Sequence, residues 1–403
     1  MKNSAKRSPF DDFAALSDPY DIYRELRENA PVYWDGPEDW WLLTRYDDVA
    51  SALRDARFSA EVGTPSVDRL PVRVRPEFDR LKTILSTLPL FSEAPVHTRV
   101  RSELQRAFTP RSVERLADTL HGRAKLLADR MATADAVDAL DDVAVPMADL
   151  AFTEIMGVAQ ADLPALREIN DGVIGALGGG AGVEQVRVAQ DAVRDLTTFL
   201  RRYRAGDGPG GGVMEILDTA LDQGRISEDE AVAALVQLVT GSLDPTPQTL
   251  ATAVLLLMRH PDQRARLRDD PTLVAGAVEE ALRLEPPFTL IHRVALADVR
   301  YGDQVVAAGE HVALLLGAAN RDPERFPEPD RFLPERSPNK HLSFGVGHHF
   351  CLGGGLVRLV GRTTVAALLP ILDGWRLADE PTYLPLMGIR KLRSGLPLVR
   401  ARG

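Results

Sequence analysis

Ten residues constrain this chain more than any other stretch: Phe344-Gly345-Val346-Gly347-His348-His349-Phe350-Cys351-Leu352-Gly353. The three glycines around one cysteine let the backbone bend tightly and approach a bulky group closely. The following residues, Leu356 to Leu369, read as a helix. Backbone N–H groups and the positive helix end therefore point near the sulfur, a setting that favours a thiolate. Cys351 is the chain's only cysteine, so an intrachain disulfide and a cysteine-only zinc site are both excluded. A thiolate in this setting can be a nucleophile or a metal ligand. A structural loop cysteine needs none of this apparatus.

Composition narrows the remaining classes. The chain has 403 residues, and 48 Lys and Arg against 58 Asp and Glu give a charge of −10. That balance argues against a protein that coats nucleic acid. The opening MKNSAKRSPFDDF has no apolar run, and stretches such as Ala253 to Met258 are far shorter than the roughly 20 residues that span a bilayer. A cytoplasmic setting without membrane attachment is expected.

Two strand-like runs, Pro31 to Trp34 and Trp40 to Thr44, flank the turn Asp35-Gly36-Pro37. Asp47 to Arg57 reads as a short amphipathic helix, and residues 60–95 as a proline-rich loop with helical pieces. From His97 to about Met258 the apolar spacing is helical. Gly178-Gly179-Gly180 with Gly182, and Gly206 to Gly212, interrupt it. The first cluster reads either as a joint between helices that can move or as a plain surface turn. A helix from about Pro271 to Leu284 stops at Glu285-Pro286-Pro287. Strand-like runs follow at Ile291 to Ala295, Val299 to Tyr301, Val305-Val306 and His311 to Leu316, with short strands again in the tail. The expected fold is mainly α with a smaller β-rich portion: helix-rich over about 97–285, strand-rich over about 30–60 and 286–403. A length prior of about 150 residues per domain suggests two or three domains. Strands drawn from both ends argue instead for a single domain over 1–403.

The Cys351 segment resembles the haem-binding loop of cytochrome P450 enzymes, whose signature is Phe-Gly-x-Gly-x-His-x-Cys-x-Gly. All its fixed positions match: Phe344, Gly345, Gly347, His349, Cys351 and Gly353. The resemblance implies a P450 fold and haem b (iron protoporphyrin IX), with Cys351 as the axial thiolate. It also implies Phe344 over the proximal haem face and backbone N–H groups near Leu352 and Gly353 on the sulfur. Glu280-Ala281-Leu282-Arg283 resembles the family's Glu-x-x-Arg, whose i, i+3 spacing lets the two side chains pair. The third member of that structural triad would be Arg331, in Pro329-Asp330-Arg331-Phe332. His97, Arg101, Arg293 and His349 stand where the family contacts the haem propionates.

One segment departs from the pattern. The family's distal helix carries Ala-Gly-x-Glu/Asp-Thr-Thr, whose acid and threonine hold water and relay protons. Here the helix reads Gly241-Ser242-Leu243-Asp244-Pro245-Thr246-Pro247, with register fixed by His260-Pro261. Asp244 takes the acid's place and Pro245 the threonine's. Proline has no hydroxyl, and Pro245 and Pro247 free the carbonyls of Gly241 and Leu243. They either kink the helix, at about 3 kcal/mol or more each, or open a water groove. Ser242 could supply the missing hydroxyl from one turn earlier; Thr246 is turned by about 100° around the helix.

The resemblance implies an oxidoreductase that activates dioxygen to hydroxylate or epoxidise a small molecule or small peptide in bacterial secondary metabolism. Ferredoxin and ferredoxin reductase would be separate electron donors, since no reductase segment follows the haem region. Loss of the threonine opens oxidative coupling or other non-insertion chemistry as an alternative. A non-catalytic haem-binding protein is a second alternative. The substrate pocket would be lined by residues 62–95, 236–249 and 286–291 and by Leu384 to Ile389, with Val239, Leu243, Leu290 and Ile291 making it apolar. Arg358 reads as part of a basic docking surface or as a solvated helix charge.

Overall fold

Trp40-Trp41-Leu42-Leu43 forms the strand Trp40–Leu43 and joins the two ends of the chain in one sheet. The computed structural model describes residues 7–11, 16–177 and 182–401. Trp40–Leu43 pairs antiparallel with Val32–Asp35 on one side, Val32 lying opposite Leu43. On its other side it runs parallel to His311–Leu314, with Trp40 opposite His311. Ile291–Ala295 and then Phe58–Ser59 complete the five strands, both pairings antiparallel. Side chains alternate between faces along each strand. Leu43, Val312 and Leu314 therefore pack with Trp34, Tyr46, Val49 and Phe326. Leu42 and Ala313 pack on the opposite face with Phe10, Tyr23, Leu26 and Leu290. A three-stranded sheet combines Ala136–Asp138, Pro397–Arg400 and Trp375–Leu377, and Val299–Tyr301 forms a hairpin with Gln304–Val306.

The chain divides into two units. The first comprises Met1–Ser59, Ala117–Met147 and Pro245–Gly403, and holds these sheets together with helices that include Ala117–Thr133, Pro245–Arg259, Val274–Leu284 and Gly354–Leu368. The second comprises Ala60–Leu116 and Ala148–Asp244 and is helical. The helices Ala117–Thr133, Pro245–Arg259, Pro261–Asp269 and Val274–Leu284, all within the span read as helix-rich, thus group with the strands in one unit. The expected helix over residues 47–57 is shorter, Tyr46–Ala52. Gly178–Gly180 lies outside the described residues.

In the second unit, Glu228–Thr240 is buried on every side from Ala231 to Val236. Its start is a capping box. The Ser227 hydroxyl accepts from Glu230 N–H at 3.2 Å, and Glu230 Oε2 accepts from Ser227 N–H at 2.8 Å. The other carboxylate oxygen takes Arg99 Nε at 2.9 Å. Helices Leu163–Leu177 and Val183–Arg204 pack closely at Gly172, where a Cβ would stand 3.1 Å from that of Ala192. Among the described residues, no helix is long and apolar enough to cross a membrane.

Candidate active site

The loop carrying Cys351 is held by its own backbone. Cys351 N–H donates to the Phe344 carbonyl at 2.8 Å, and Gly345 N–H to that of Leu342 at 2.8 Å. Gly347 has φ +80°, and a Cβ there would stand 3.2 Å from the Leu53 carbonyl oxygen. Both the turn and the close approach therefore require glycine. The helix Gly354–Leu368 begins at Gly354, nearer the cysteine than the expected Leu356. Its first-turn N–H groups have no partners within the helix. Cys351 is half-buried and in no disulfide. The Phe344 ring lies against the helix's first turn, 3.6 Å from where a Cβ of Gly354 would be.

Arg293, the next expected site residue in this unit, is buried on the strand Ile291–Ala295. Its Nη1 donates to the His292 carbonyl at 2.8 Å. Burial first, then His311 and the Arg293 charge, push the His292 imidazole down to about 4, so His292 is neutral beside that guanidinium. His349 lies on the short turn Gly347–His349. His97, buried, and Arg101, half-buried, share the helix Val96–Leu104 of the second unit.

This donor set fits a porphyrin iron by its chemistry. It offers one sulfur beside a helix start, glycines where a side chain would crowd the loop, and a buried guanidinium suited to a propionate.

The helix Val274–Leu284 supports the loop through two consecutive glutamates. Glu280 and Arg283 are both fully buried. Arg283 Nε and Nη2 each donate to the Glu280 carboxylate at 2.7 Å. The rest of the guanidinium donates to the carbonyls of Asn320, Pro329 and Arg331 at 2.9, 2.6 and 3.1 Å. All five of its N–H donors are used. Glu280 also accepts from Arg336 Nε at 2.9 Å, Asn339 Nδ2 at 3.0 Å and Leu333 N–H at 3.1 Å.

This corrects the expected triad. Arg331 contributes its carbonyl, while its guanidinium turns outward to Glu328. The second side chain that pairs with Glu280, beside Arg283, is that of Arg336. The loop passes through Glu328 at φ +50° and presents the Arg331 backbone, rather than its side chain, to the buried cluster.

Glu279 faces the other way. Arg358 Nε and Nη2 donate to it at 2.8 and 2.9 Å, and His341 Nε2 lies 3.3 Å from its Oε2. Burial pushes the Glu279 carboxyl up, but the hydrogen bonds from His341 and Arg358 outweigh it and hold the group down at about 2. The Arg358 guanidinium lies 4.5 Å from the centre of the Phe344 ring. Arg358 is therefore a paired side chain lying over the Phe344 ring, and it remains partly exposed.

At the distal segment the helix is broken rather than kinked. Glu228–Thr240 ends, residues 241–244 form turns, and a new helix starts at Pro245. Pro245 and Pro247 both fall in a first turn, where N–H groups have no intrahelical acceptor. The penalty expected for prolines inside a helix therefore does not arise. The freed Leu243 carbonyl accepts a long bond of 3.5 Å from Arg167, which also pairs with Asp149. Thr249 Oγ1 donates to the Pro245 carbonyl at 2.8 Å. With the helix interrupted, the angular argument for Ser242 over Thr246 loses its basis. Asp244 Oδ2 accepts from Asn170 Nδ2 at 3.1 Å.

The segments expected to line the pocket pair in part. Thr289 N–H donates to the Gly388 carbonyl at 2.8 Å and Arg390 N–H to that of Pro287 at 2.9 Å. Leu290 is buried under Gly388 and Ile291 is half-buried. In the second unit Val239 and Leu243 are buried. Sequence reasoning missed Arg336, Asn170 and the Glu279–Arg358 pair. Only the last had a local signal, the doubled glutamate at Glu279-Glu280.

The sequence profile of the family described as Cytochrome P450 matches residues 212–370. The chain is 32% identical over 384 residues to the biotin biosynthesis cytochrome P450 of Bacillus subtilis, covering 94% of this chain and 95% of that protein. It is 34% identical over 380 residues to cytochrome P450 107B1 of Saccharopolyspora erythraea, covering 93% and 92%. The crystal structure of P450BioI in complex with a hexadec-9Z-enoic acid ligated acyl carrier protein superposes with a TM-score of 0.86 at 33% identity. That match covers 96% of this chain and all of the other.

Proposed function

Because the chain belongs to the cytochrome P450 family, we propose that Cys351 ligates the iron of haem b and that the protein oxidises an apolar organic molecule. It is a monooxygenase-type oxidoreductase with the family's fold and cofactor. When bound, the haem supplies dioxygen activation driven by two electrons. The chain's own residues do the rest. The Cys351 sulfur binds, with N–H groups near Leu352 and Gly353 tuning it, and Phe344 keeps water from it. Arg293 and His349 hold propionates, and His97 and Arg101 take the same role by their place in the sequence pattern. Asp244 passes protons through its carboxylate, with Ser242 or Thr246 lending a hydroxyl.

Val239, Leu243, Leu290 and Ile291 would give the substrate an apolar lining. One relative is named for biotin biosynthesis and one was crystallised with an acyl carrier protein carrying a fatty acid. A substrate presented free or on a carrier protein is consistent with both. A separate ferredoxin and its reductase would deliver electrons in the cytoplasm.

The observation that carries this reading is the loop itself: Cys351 is pinned to Phe344 by its N–H at the start of the helix Gly354–Leu368. Reduction under carbon monoxide tests it, with a band expected at about 450 nm for thiolate ligation. A band at about 420 nm in folded protein would overturn the Cys351 assignment. Turnover with surrogate ferredoxin and reductase then separates an oxidising enzyme from a passive haem binder.

A second reading, oxidative coupling rather than oxygen insertion, is favoured by Pro245, which removes the relay hydroxyl. Product mass distinguishes the two, since insertion adds an oxygen atom and coupling removes two hydrogens.

A further inference from the structure

We propose that Glu279, Arg358 and the Phe344 ring form a positioning relay that fixes Cys351, distinct from the neighbouring Glu280 cluster. The inference rests on the reading of Cys351 as haem ligand and deepens it.

The relay is traced through contacts within one unit. Glu279 on the helix Val274–Leu284 grips Arg358 on the helix Gly354–Leu368 with two parallel hydrogen bonds of 2.8 and 2.9 Å. That geometry fixes the plane of the guanidinium as well as its place. The flat cation then lies over Phe344, 4.5 Å from the ring centre. The ring is also bounded by His341, with centroids 5.7 Å apart, and by the first turn of the helix at Gly354. Phe344 is therefore enclosed, and its carbonyl is the acceptor for Cys351 N–H at 2.8 Å.

His341 completes the arrangement. Its Nδ1 accepts from Ser343 N–H at 3.3 Å, which leaves Nε2 as the donor toward Glu279. The imidazole thus ties the loop's first residues to the same carboxylate. Glu279 stays charged at working pH because those donors hold its carboxyl near 2.

The consecutive glutamates divide the work. Glu280 binds the proline-rich loop through Arg336, Asn339 and Leu333, while Glu279 binds the cysteine loop.

The test compares the wild-type holoenzyme with Glu279→Gln, Arg358→Ala, Arg358→Lys and Phe344→Leu. Amide hydrogen exchange of the peptide 344–352 reads the loop without reference to the iron. The lifetime of the carbon monoxide complex at about 450 nm reads the sulfur. Exchange in Glu279→Gln and Arg358→Ala is expected to quicken about tenfold, the effect of losing one charged hydrogen bond, and the carbon monoxide band to decay correspondingly faster. Arg358→Lys keeps the charge but loses the fork and the flat stack, and should fall between; it also serves if Arg358→Ala fails to fold. The Arg358→Ala, Phe344→Leu double variant should be no worse than either single variant.

Exchange and lifetime both within about twofold of wild type in all the charge variants, where about tenfold is expected of a lost charged hydrogen bond, would overturn the relay. So would additive effects in the double variant. A wild-type protein with no band at about 450 nm would instead overturn the haem-ligand reading, and the exchange measurement would still decide the relay.

Discussion

Asn170 holds Asp244 with a neutral amide: its Nδ2 donates to Asp244 Oδ2 at 3.1 Å and to Asp171 Oδ1 at 3.2 Å. Asn170 is 2% exposed, and its Oδ1 has no hydrogen-bond partner among the described residues. The amide donates to the carboxylate and so fixes its orientation without supplying a counter-charge. Asn170→Ala is expected to lower product formed per electron consumed about three- to tenfold, in line with the loss of one hydrogen bond to a charged group. Asn170→Asp should be worse, because like charges repel. Unchanged coupling in both variants would remove Asn170 from the proton path.

The buried pair Glu280–Arg283 predicts a graded stability series in urea. Arg283→Ala leaves a buried carboxylate short of its main partner and is expected to cost about 3 to 5 kcal/mol, or to prevent folding. Arg336→Ala should cost less, because Arg283, Asn339 and Leu333 still serve Glu280. Arg331→Ala should fall within about 0.5 kcal/mol of wild type, since among the described residues its side chain makes only an exposed pair with Glu328. A large loss at Arg331 with none at Arg336 would restore the triad expected from sequence.

Acid should release Glu279 in a defined window. Its folded pKa is depressed to about 2 from the ordinary 4.5. The stabilisation is therefore present above about pH 4.5 and is lost as pH falls toward about 2, amounting to about 3 kcal/mol. Glu279→Gln should flatten the stability curve in that interval and leave its slope above pH 5 unchanged. Parallel curves for variant and wild type between these limits would contradict the assignment.

Pro245 separates a structural from a chemical role. It opens the helix Pro245–Arg259, a position where Pro is favoured, so Pro245→Thr should change stability by less than about 1 kcal/mol. The same variant restores the hydroxyl of the family pattern. If the missing hydroxyl limits oxygen insertion, Pro245→Thr raises the yield of oxygenated product and Ser242→Ala lowers it. If both leave the product ratio unchanged, protons reach the site without either group.

The loop around Cys351 was legible because its residue types are dictated locally. Glycine is required at Gly347 by backbone conformation, and the helix after Cys351 is announced by its own periodicity. The sheet strands were legible for the same reason, from runs such as Trp40 to Leu43. Arg336 and Asn170 were not. Their roles depend on where a loop turns and on which helix packs near Asp244, and no residue beside them in sequence encodes that. The distal break was half legible. Prolines at 245 and 247 signalled a disruption, but whether they interrupt a helix or begin one depends on the turn at residues 241–244.

Trp41 Nε1 donates to Glu310 Oε2 at 2.6 Å across 269 residues of sequence, beside the parallel pairing of Trp40–Leu43 with His311–Leu314. During synthesis this strand can pair early with Val32–Asp35, but its other edge waits, unpaired and apolar, until the chain has grown past Leu314. Contacts of such separation close slowly, and exposed strand edges invite association with other chains. The yield of soluble protein should depend more on how quickly the last third of the chain emerges, and on chaperone supply in that interval, than on the strength of the helices made before it.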